Sequence, residues 1–571
     1  MCYFRYIKLY FTMRKLTFLI LIFFIPLIFA SQIPVDVNDP VYVFLKRMEA
    51  KGIVENFDDG ALPLTRTEIA TYLKESFNNS DQLTKREKEI LLELMADYRY
   101  ELKKEFHPDI NKVTGCFLPI YQRGDFSRLL KTTFSREKFQ EEGHLFIYET
   151  DTSFIWFDFG LINRNQWKNG HFRTILGGYG KLRAGFFKCI DAYFNLAVFN
   201  KLINESYTEL EPEERGSFET TDPECKVGHF DNLKSSIIFY NKNLKVGLFH
   251  YSPRWGVSKS NSLLLSGNSP EFPYISFQFK YKRLKLSYLH GSLLNDSTVY
   301  KSASITIRNR PKYFVGHRVD IFIPAFKTNV GLCDLVIYGD RNIDLGYLNP
   351  VSFYRAVEHH LQDRDNALLY FDIKTTAFPS KVIYFSFLLD ELSFYYMRKD
   401  WWANKFAIQG GIIQSLYIFQ VPVNLYLEYT VVHPWTYSHK TLTTNFTNAG
   451  YCLGFPYGPN SQVIFSRAEI LPGTKSQIYL EFTHVLHGED TEDRYYGGDP
   501  KINYELRDKD LDYKTKWLMG PLKRTNIFNF TYNYEVFNQK LVFFKYSWVN
   551  TKFKGKINTD HYFSVGFILD F

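Results

Sequence analysis

From about Val113 to the end of the chain, apolar and polar positions alternate with period 2. That is the spacing at which a β-strand presents one face to an apolar environment and the other to a polar one. Phe277, Phe279 and Tyr281 alternate with Gln278, Lys280 and Lys282, and Leu284, Leu286 and Tyr288 resume after a turn. Phe528, Phe530, Tyr532 and Tyr534 alternate with Asn529, Thr531 and Asn533, and Leu541, Phe543 and Lys545 return after a turn near Asn538-Gln539. Ile237 to Tyr240, Asn241-Lys242-Asn243 and Leu244 to Tyr251 predict a hairpin. At the C-terminus, Phe563, Val565, Phe567, Leu569 and Phe571 share one strand face, and Ser564, Gly566 and Asp570 the other.

The stretch from about 39 to 107 has a helical period instead. Asp39-Pro40 is a cap followed by proline at the first helical position, and Val41, Phe44, Leu45 and Met48 then recur until Gly52. Thr65 to Glu68 and Thr84 to Glu87 are capping boxes. The first opens a helix carrying Ile69, Tyr72 and Leu73; the second opens a long one carrying Ile90, Leu91, Leu94, Tyr98 and Leu102, limited by Pro108. Three short amphipathic helices predict a small periplasmic head.

Strand-length alternating segments separated by turn residues are the signature of a transmembrane β-barrel. A soluble β-sandwich or propeller is the alternative, and the lack of a regular repeat argues against the propeller. About 450 residues at roughly 25 per strand predict a large antiparallel barrel of roughly 16–20 strands, wide enough to need either a channel or a plug. The chain is thus expected to be mainly β, with a small α-helical domain in front. The final strand resembles the closing strand of bacterial outer-membrane barrels, which makes the barrel assembly machinery an expected partner through Phe571. Arg14 and Lys15 before the apolar run Leu16 to Ala30 read as a secretory signal, with Met13 a better start than Met1. The expected division is 1–30 leader, 31–112 periplasmic helical domain and 113–571 outer-membrane barrel.

Composition sharpens this reading. The chain has 54 Phe and 41 Tyr, and aromatics make up 18% of it, as lipid-facing surfaces with interfacial girdles require. The net charge of +8 is modest for 571 residues and nowhere clustered enough for nucleic acid, although a mildly basic lumen suits an acidic polymer. After loss of Cys2 with the leader, Cys116, Cys189, Cys225, Cys333 and Cys452 remain, without a C-x-x-C pair. This odd set supports neither a zinc nor a redox motif and leaves at least one thiol outside any internal disulfide.

Several segments resemble the capsule-assembly (Wzi-like) outer-membrane family. They are Pro40 to Ile53 with Ala61 to Ala70; Pro253-Arg254-Trp255-Gly256 followed by Ser262 to Asn268 and Pro270 to Pro273; Leu348 to Arg355 with Asp365 to Leu368; and Glu428-Tyr429-Thr430, His433 to His439 and Gly458 to Ser461. They fall in family order across most of the mature chain. Val257 and Ser258 depart from the glycine and proline expected after Trp255-Gly256. The resemblance implies a barrel with a helical periplasmic bundle that holds or organises surface polysaccharide, capsule or exopolysaccharide, as a lectin would. A polysaccharide export complex is a further implied partner.

Sugar sites need flat aromatics for the apolar ring faces and polar groups for the hydroxyls, and arginine also pairs with sugar carboxylates. Candidates of this kind are Arg254 with Trp255; Tyr354 with Arg355 and Glu358; and His433, Trp435, Tyr437 and His439. Taken singly, each of these aromatics fits a girdle or the barrel interior better, because girdles consume many aromatics. Glu358, His359, His360, Asp363 and Asp365 invite a metal reading, but adjacent histidines in a strand diverge, so a solvated loop is expected. The run His484, His487, Glu489, Asp490, Glu492, Asp493 is likewise expected to be a surface loop. Asp508, Asp510 and Asp512 start like an EF-hand, but Tyr513 and Met519 occupy the positions that need glycine and glutamate. No G-x-S-x-G, P-loop or H-E-x-x-H is present. A non-enzymatic glycan-binding barrel without metal or cofactor is therefore the expected function. A porin-like solute channel and a barrel enzyme acting on glycans or lipids are the alternatives.

Overall fold

The structure, a computed structural model, describes residues 31–102, 143–150, 152–202, 214–215, 220–222, 227–258, 261–295, 310–396 and 398–571. The leader, the Pro108 helix stop, the boundary at 113, Cys116 and Cys225 lie outside them.

Eighteen antiparallel strands close into one barrel. In chain order they are β1 (Phe154–Lys168), β2 (His171–Phe186), β3 (Ile190–Leu202), β4 (Val227–Tyr240), β5 (Leu244–Tyr251), β6 (Phe272–Tyr281), β7 (Leu284–Leu293), β8 (Lys312–Ile323) and β9 (Thr328–Gly339). They continue with β10 (Asn366–Thr375), β11 (Lys381–Glu391), β12 (Lys405–Ile418), β13 (Val421–Val432), β14 (Ser461–Gly473), β15 (Ser476–Gly488), β16 (Leu522–Phe537), β17 (Lys540–Phe553) and β18 (Lys556–Asp570). Short strands at Phe146–Glu149 and Thr220–Asp222 extend the edges of β1 and β4. The seam lies between β18 and β1, where Phe571 donates its N–H to Phe159 at 2.8 Å and accepts one at 3.0 Å. Along β18, Phe563 and Val565 are exposed outward while Ser564 is buried inward, the split that the alternation predicts.

The four helix signals that fall among the described residues form. In α1 (Pro40–Ala50) Asp39 caps Val41 N–H with Pro40 at N1, and Gly52 takes the left-handed φ of +73° just past the end. Capping boxes at Thr65 and Thr84 open α2 (Arg66–Asn78) and α3 (Lys85–Asp97). The long third helix breaks at Tyr98, and Arg99–Leu102 forms a separate turn, α4. These helices sit in one mouth of the barrel, at the end where all eight turns are two to five residues long. This is the periplasmic end of an outer-membrane barrel, and the long loops lie at the extracellular end.

The helical domain is therefore a plug seated in the barrel, and charge seats it. Lys285 and Lys280 on the wall meet Asp58 at 2.8 and 3.4 Å; Lys374 reaches Glu49 at 2.7 Å and Asp59 at 2.5 Å; Lys245 meets Glu68 at 2.7 Å and Lys234 meets Asp36 at 2.8 Å. Burial opposes ionisation of Asp36, Asp58, Asp59 and Glu68, but the facing lysines outweigh it: Asp36, Asp59 and Glu68 are held at about 2, and Asp58 lower still. Arg47 is fully buried, bonded to Glu87 at 2.7 Å and to Val423 O at 3.0 Å.

Close strand packing depends on glycine opposite tyrosine. An alanine Cβ at Gly411 would lie 2.3 Å from the ring of Tyr384, its register partner, whose hydroxyl is tied to Glu428 at 2.6 Å and cannot swing away. Gly411→Ala is expected to cost about 1–3 kcal/mol through overpacking, lowering the temperature at which the barrel loses its folded gel mobility. Gly473→Ala, with nothing within 4 Å of the added methyl, is the neutral control.

Candidate functional site

The candidate residues belong to three extracellular loops, which the structure sends to two places. The loop between β5 and β6 turns down into the lumen. There Trp255 and Leu265 exchange N–H···O bonds of 3.0 and 3.2 Å, and Leu62-Ala61 of the plug pairs antiparallel with Arg254-Trp255. Plug and loop thus meet inside the barrel. Trp255 is buried in the apolar interior with Leu263, Leu264 and Leu265, against wall residues Phe314, Leu335 and Tyr370.

The loop between β13 and β14 also folds inward. Trp435 and Tyr437 adopt φ of +66° and +73°, which bulky residues hold only when their surroundings over-determine them. Trp435 N–H donates to Gly497 O at 3.0 Å, Tyr437 N–H to Asp390 at 2.7 Å, and Tyr437 OH to Leu263 O at 2.7 Å. His439 takes Asn445 through its N–H at 2.8 Å and Thr444 through Nδ1 at 2.5 Å. His433 stacks on Phe406 at 5.4 Å, and burial depresses its pKa to about 4; burial together with Lys405, Lys440 and Arg355 holds His439 well below the ordinary histidine value. Trp255 and Tyr437 therefore share one core, and the four residues of the second motif lie in the walls of a rigid turn. Among them, Tyr437 is fully buried.

Tyr354, Arg355 and Glu358 go elsewhere. They lie on α5 (Tyr354–His360), within the loop 340–365 between β9 and β10. Tyr354 is fully buried against Tyr347, Val336 and Tyr288. Strand parity places Val336 and Tyr288 on the outer wall, opposite to the lumenal Leu335 and Leu289. Glu358, His359 and Asp363 bring ligand atoms within 4.8 Å of one another, the one such group among the described residues. They do so at the end of the short helix α5, with His359 and Asp363 exposed and Glu358 buried. Glu358 is fully buried, with Arg355 and His359 nitrogens each 3.8 Å away. Burial, then the Asp363 charge, raises its pKa to about 7 against the pull of Arg355. Along the other acidic run, His487 bonds Glu489 and Gly498 O at 3.1 Å each while His484 turns to Asn526. Asp490 accepts backbone N–H groups of Tyr496, Gly497, Gly498 and Asp499; it folds the loop.

One aromatic surface escapes a sequence reading. Tyr395, 74% exposed, packs on Tyr396 at 4.8 Å; Tyr396 packs on Trp401 at 4.8 Å and Tyr513 at 5.8 Å. Lys399 lies 4.5 Å over Tyr395, and Arg507 lies 3.8 Å over the neighbouring Trp402. Two extracellular loops, 392–404 and 489–521, thus build a patch of aromatic faces with cations, suited to sugar rings and their carboxylates.

Over nearly its whole length, the chain is similar to Wzi. The match to that solved structure has a TM-score of 0.56 and 12% identity, covering 94% of this chain and 99% of the other; Wzi is described as an outer-membrane protein involved in group 1 capsule assembly in Escherichia coli and a carbohydrate-binding β-barrel. OpdK of Pseudomonas aeruginosa, solved with vanillate, matches at a TM-score of 0.43 and 9% identity, covering 74% of this chain and 99% of that one. No protein-family model and no curated protein sequence matches the chain. The Wzi match shows the fold, an outer-membrane barrel behind a helical domain. The residues that carry the family resemblance do structural work here. Ser266 bonds Gly454 O at 2.5 Å, Asn261 bonds Glu428 at 3.2 Å, and Asn460 bonds Gly488 O and Met519 O at 2.8 Å.

Proposed function

We propose that this protein retains or assembles surface polysaccharide at the outer membrane, binding it non-covalently on its extracellular loops. The observation that carries this reading is the likeness to Wzi, which spans the helical plug as well as the barrel. The exposed patch of Tyr395, Tyr396, Trp401 and Tyr513 with Lys399 supplies the chemistry that a glycan with acidic groups needs. The plug's charge-paired seat and the apolar lumenal core support a binder over a solute channel. In this reading the protein is not an enzyme, and a polysaccharide export complex would meet it from the periplasmic side of the plug.

A deletion strain is expected to make normal total polysaccharide but shed most of it, measured by separating cell-attached from released material. Purified protein is expected to bind the host's polysaccharide, and Tyr395→Ala/Tyr513→Ala to weaken binding about tenfold through loss of the aromatic faces. Unchanged attachment together with large ion conductance in planar bilayers would replace this reading with the channel.

A further inference from the structure

The loop 340–365 lies on the outside of the barrel, where lipid is expected. On the wall beneath it, Tyr288, His290, Tyr313, His317, Asp334 and Tyr338 share strand parity with the exposed lipid-facing residues Leu284, Ile321 and Leu332. They therefore point outward. Polar groups such as Asp334 and His317 are costly against hydrocarbon. The loop covers this row and satisfies part of it: Tyr354 N–H donates to Asp334 at 2.5 Å, Tyr288 OH to Tyr347 O at 3.3 Å, and Asp344 N–H to Tyr338 OH at 3.4 Å.

Height matters. From Ile323 at the periplasmic end of β8 to His317 is six residues, or about 15 Å along the membrane normal at roughly 3.3 Å per residue and a tilt near 40°. A barrel needs an apolar band of about 25 Å. The bare wall at β7–β9 supplies only its lower part. The outer face of the loop carries Leu345 (80% exposed), Val351 (76%), Phe353 (54%), Ile343 and Leu348. This is the apolar surface that the upper wall lacks. Arg355, His359 and Arg364 are accessible on the same loop.

We infer that loop 340–365 is seated in the outer leaflet, where its apolar face takes lipid acyl chains and Arg355 and Arg364 take the anionic head group. This role is separate from glycan binding and asks nothing of the lumen. The test is photocrosslinking of the full-length protein in proteoliposomes of phosphatidylethanolamine and phosphatidylglycerol. Benzoylphenylalanine is placed at Val351, at the wall position Leu332 and at Leu506 in the loop between β15 and β16. Lipid adducts at Val351 are expected to match those at Leu332 and exceed those at Leu506 at least tenfold. Reaction at Leu332 with Val351 no higher than Leu506 overturns the inference. With the probe at Val351, Arg355→Gln/Arg364→Gln is expected to lower the phosphatidylglycerol share of adducts severalfold; an unchanged share removes the head-group part.

Discussion

Lys374→Ala is expected to unseat the plug. The Lys374 ammonium is buried between Glu49 and Asp59 and donates a further bond to Phe57 O at 2.6 Å. Lys46 pairs with the same two carboxylates, so the site is a square of two cations and two anions. Removing one cation leaves two buried carboxylates to share the other. Breaking a buried pair from one side costs about 3–5 kcal/mol, since the surviving charge stays desolvated. If plug docking carries that cost, the undocked population rises about 10²–10⁴-fold, read as the cleavage rate of the helical domain by added protease in intact proteoliposomes. Lys374→Ala/Asp59→Ala restores the balance of one cation to one anion and is expected to recover most of the loss. Lys245→Ala, whose partner Glu68 retains solvent contact, is expected to cost about 1 kcal/mol or less. Equal cleavage of the Lys374 and Lys245 variants would mean that buried charge does not seat the plug.

Which parts were legible in the sequence follows from how local each signal is. Capping boxes at Thr65 and Thr84 involve side chains three residues apart, and strand alternation is visible within one segment, so helices, hairpins and the outward face of β18 read directly. The plug's seat was not legible. Lys285 and Asp58 are 227 residues apart, and nothing near either position says that they meet, so the helices read as a separate head. The places of the candidate glycan residues were not legible for a related reason. Tyr354 and Tyr437 have the composition of a sugar site, but composition does not say which side of a barrel wall a loop folds over. Tyr354 went outside the barrel and Tyr437 into the lumen. Tyr395 and Tyr513 lie in unpatterned loops and become neighbours, through Tyr396, only when those loops pack.

Acid is expected to loosen the molecule in two stages, and the order follows from the sign of each shift. His433 is buried neutral with its pKa depressed to about 4, with Asp400 the nearby charge that favours protonation and Phe406 and Trp517 as apolar neighbours. A histidine whose folded pKa lies below its unfolded value of about 6.5 binds its proton more readily when its loop opens. The stability it contributes is present above pH about 6.5 and is lost as pH falls toward 4. His439, depressed in the same direction, adds to this stage. The plug carboxylates respond later. Glu68 and Asp59 are held at about 2 by Lys245, Lys374 and Lys46, so their contribution is intact above their unfolded pKa values near 4 and is lost between about 4 and 2. Hydrogen exchange followed by mass spectrometry, stepped from pH 7 to pH 2 and corrected for the intrinsic rate, is expected to lose protection first in the loop 433–460 and then in residues 40–97, while β1 to β18 stay protected. His433→Gln removes the titrating group and is expected to flatten the first stage without moving the second. Loss of plug protection above pH 5 would place the seat's stability in something other than these lysine–carboxylate pairs.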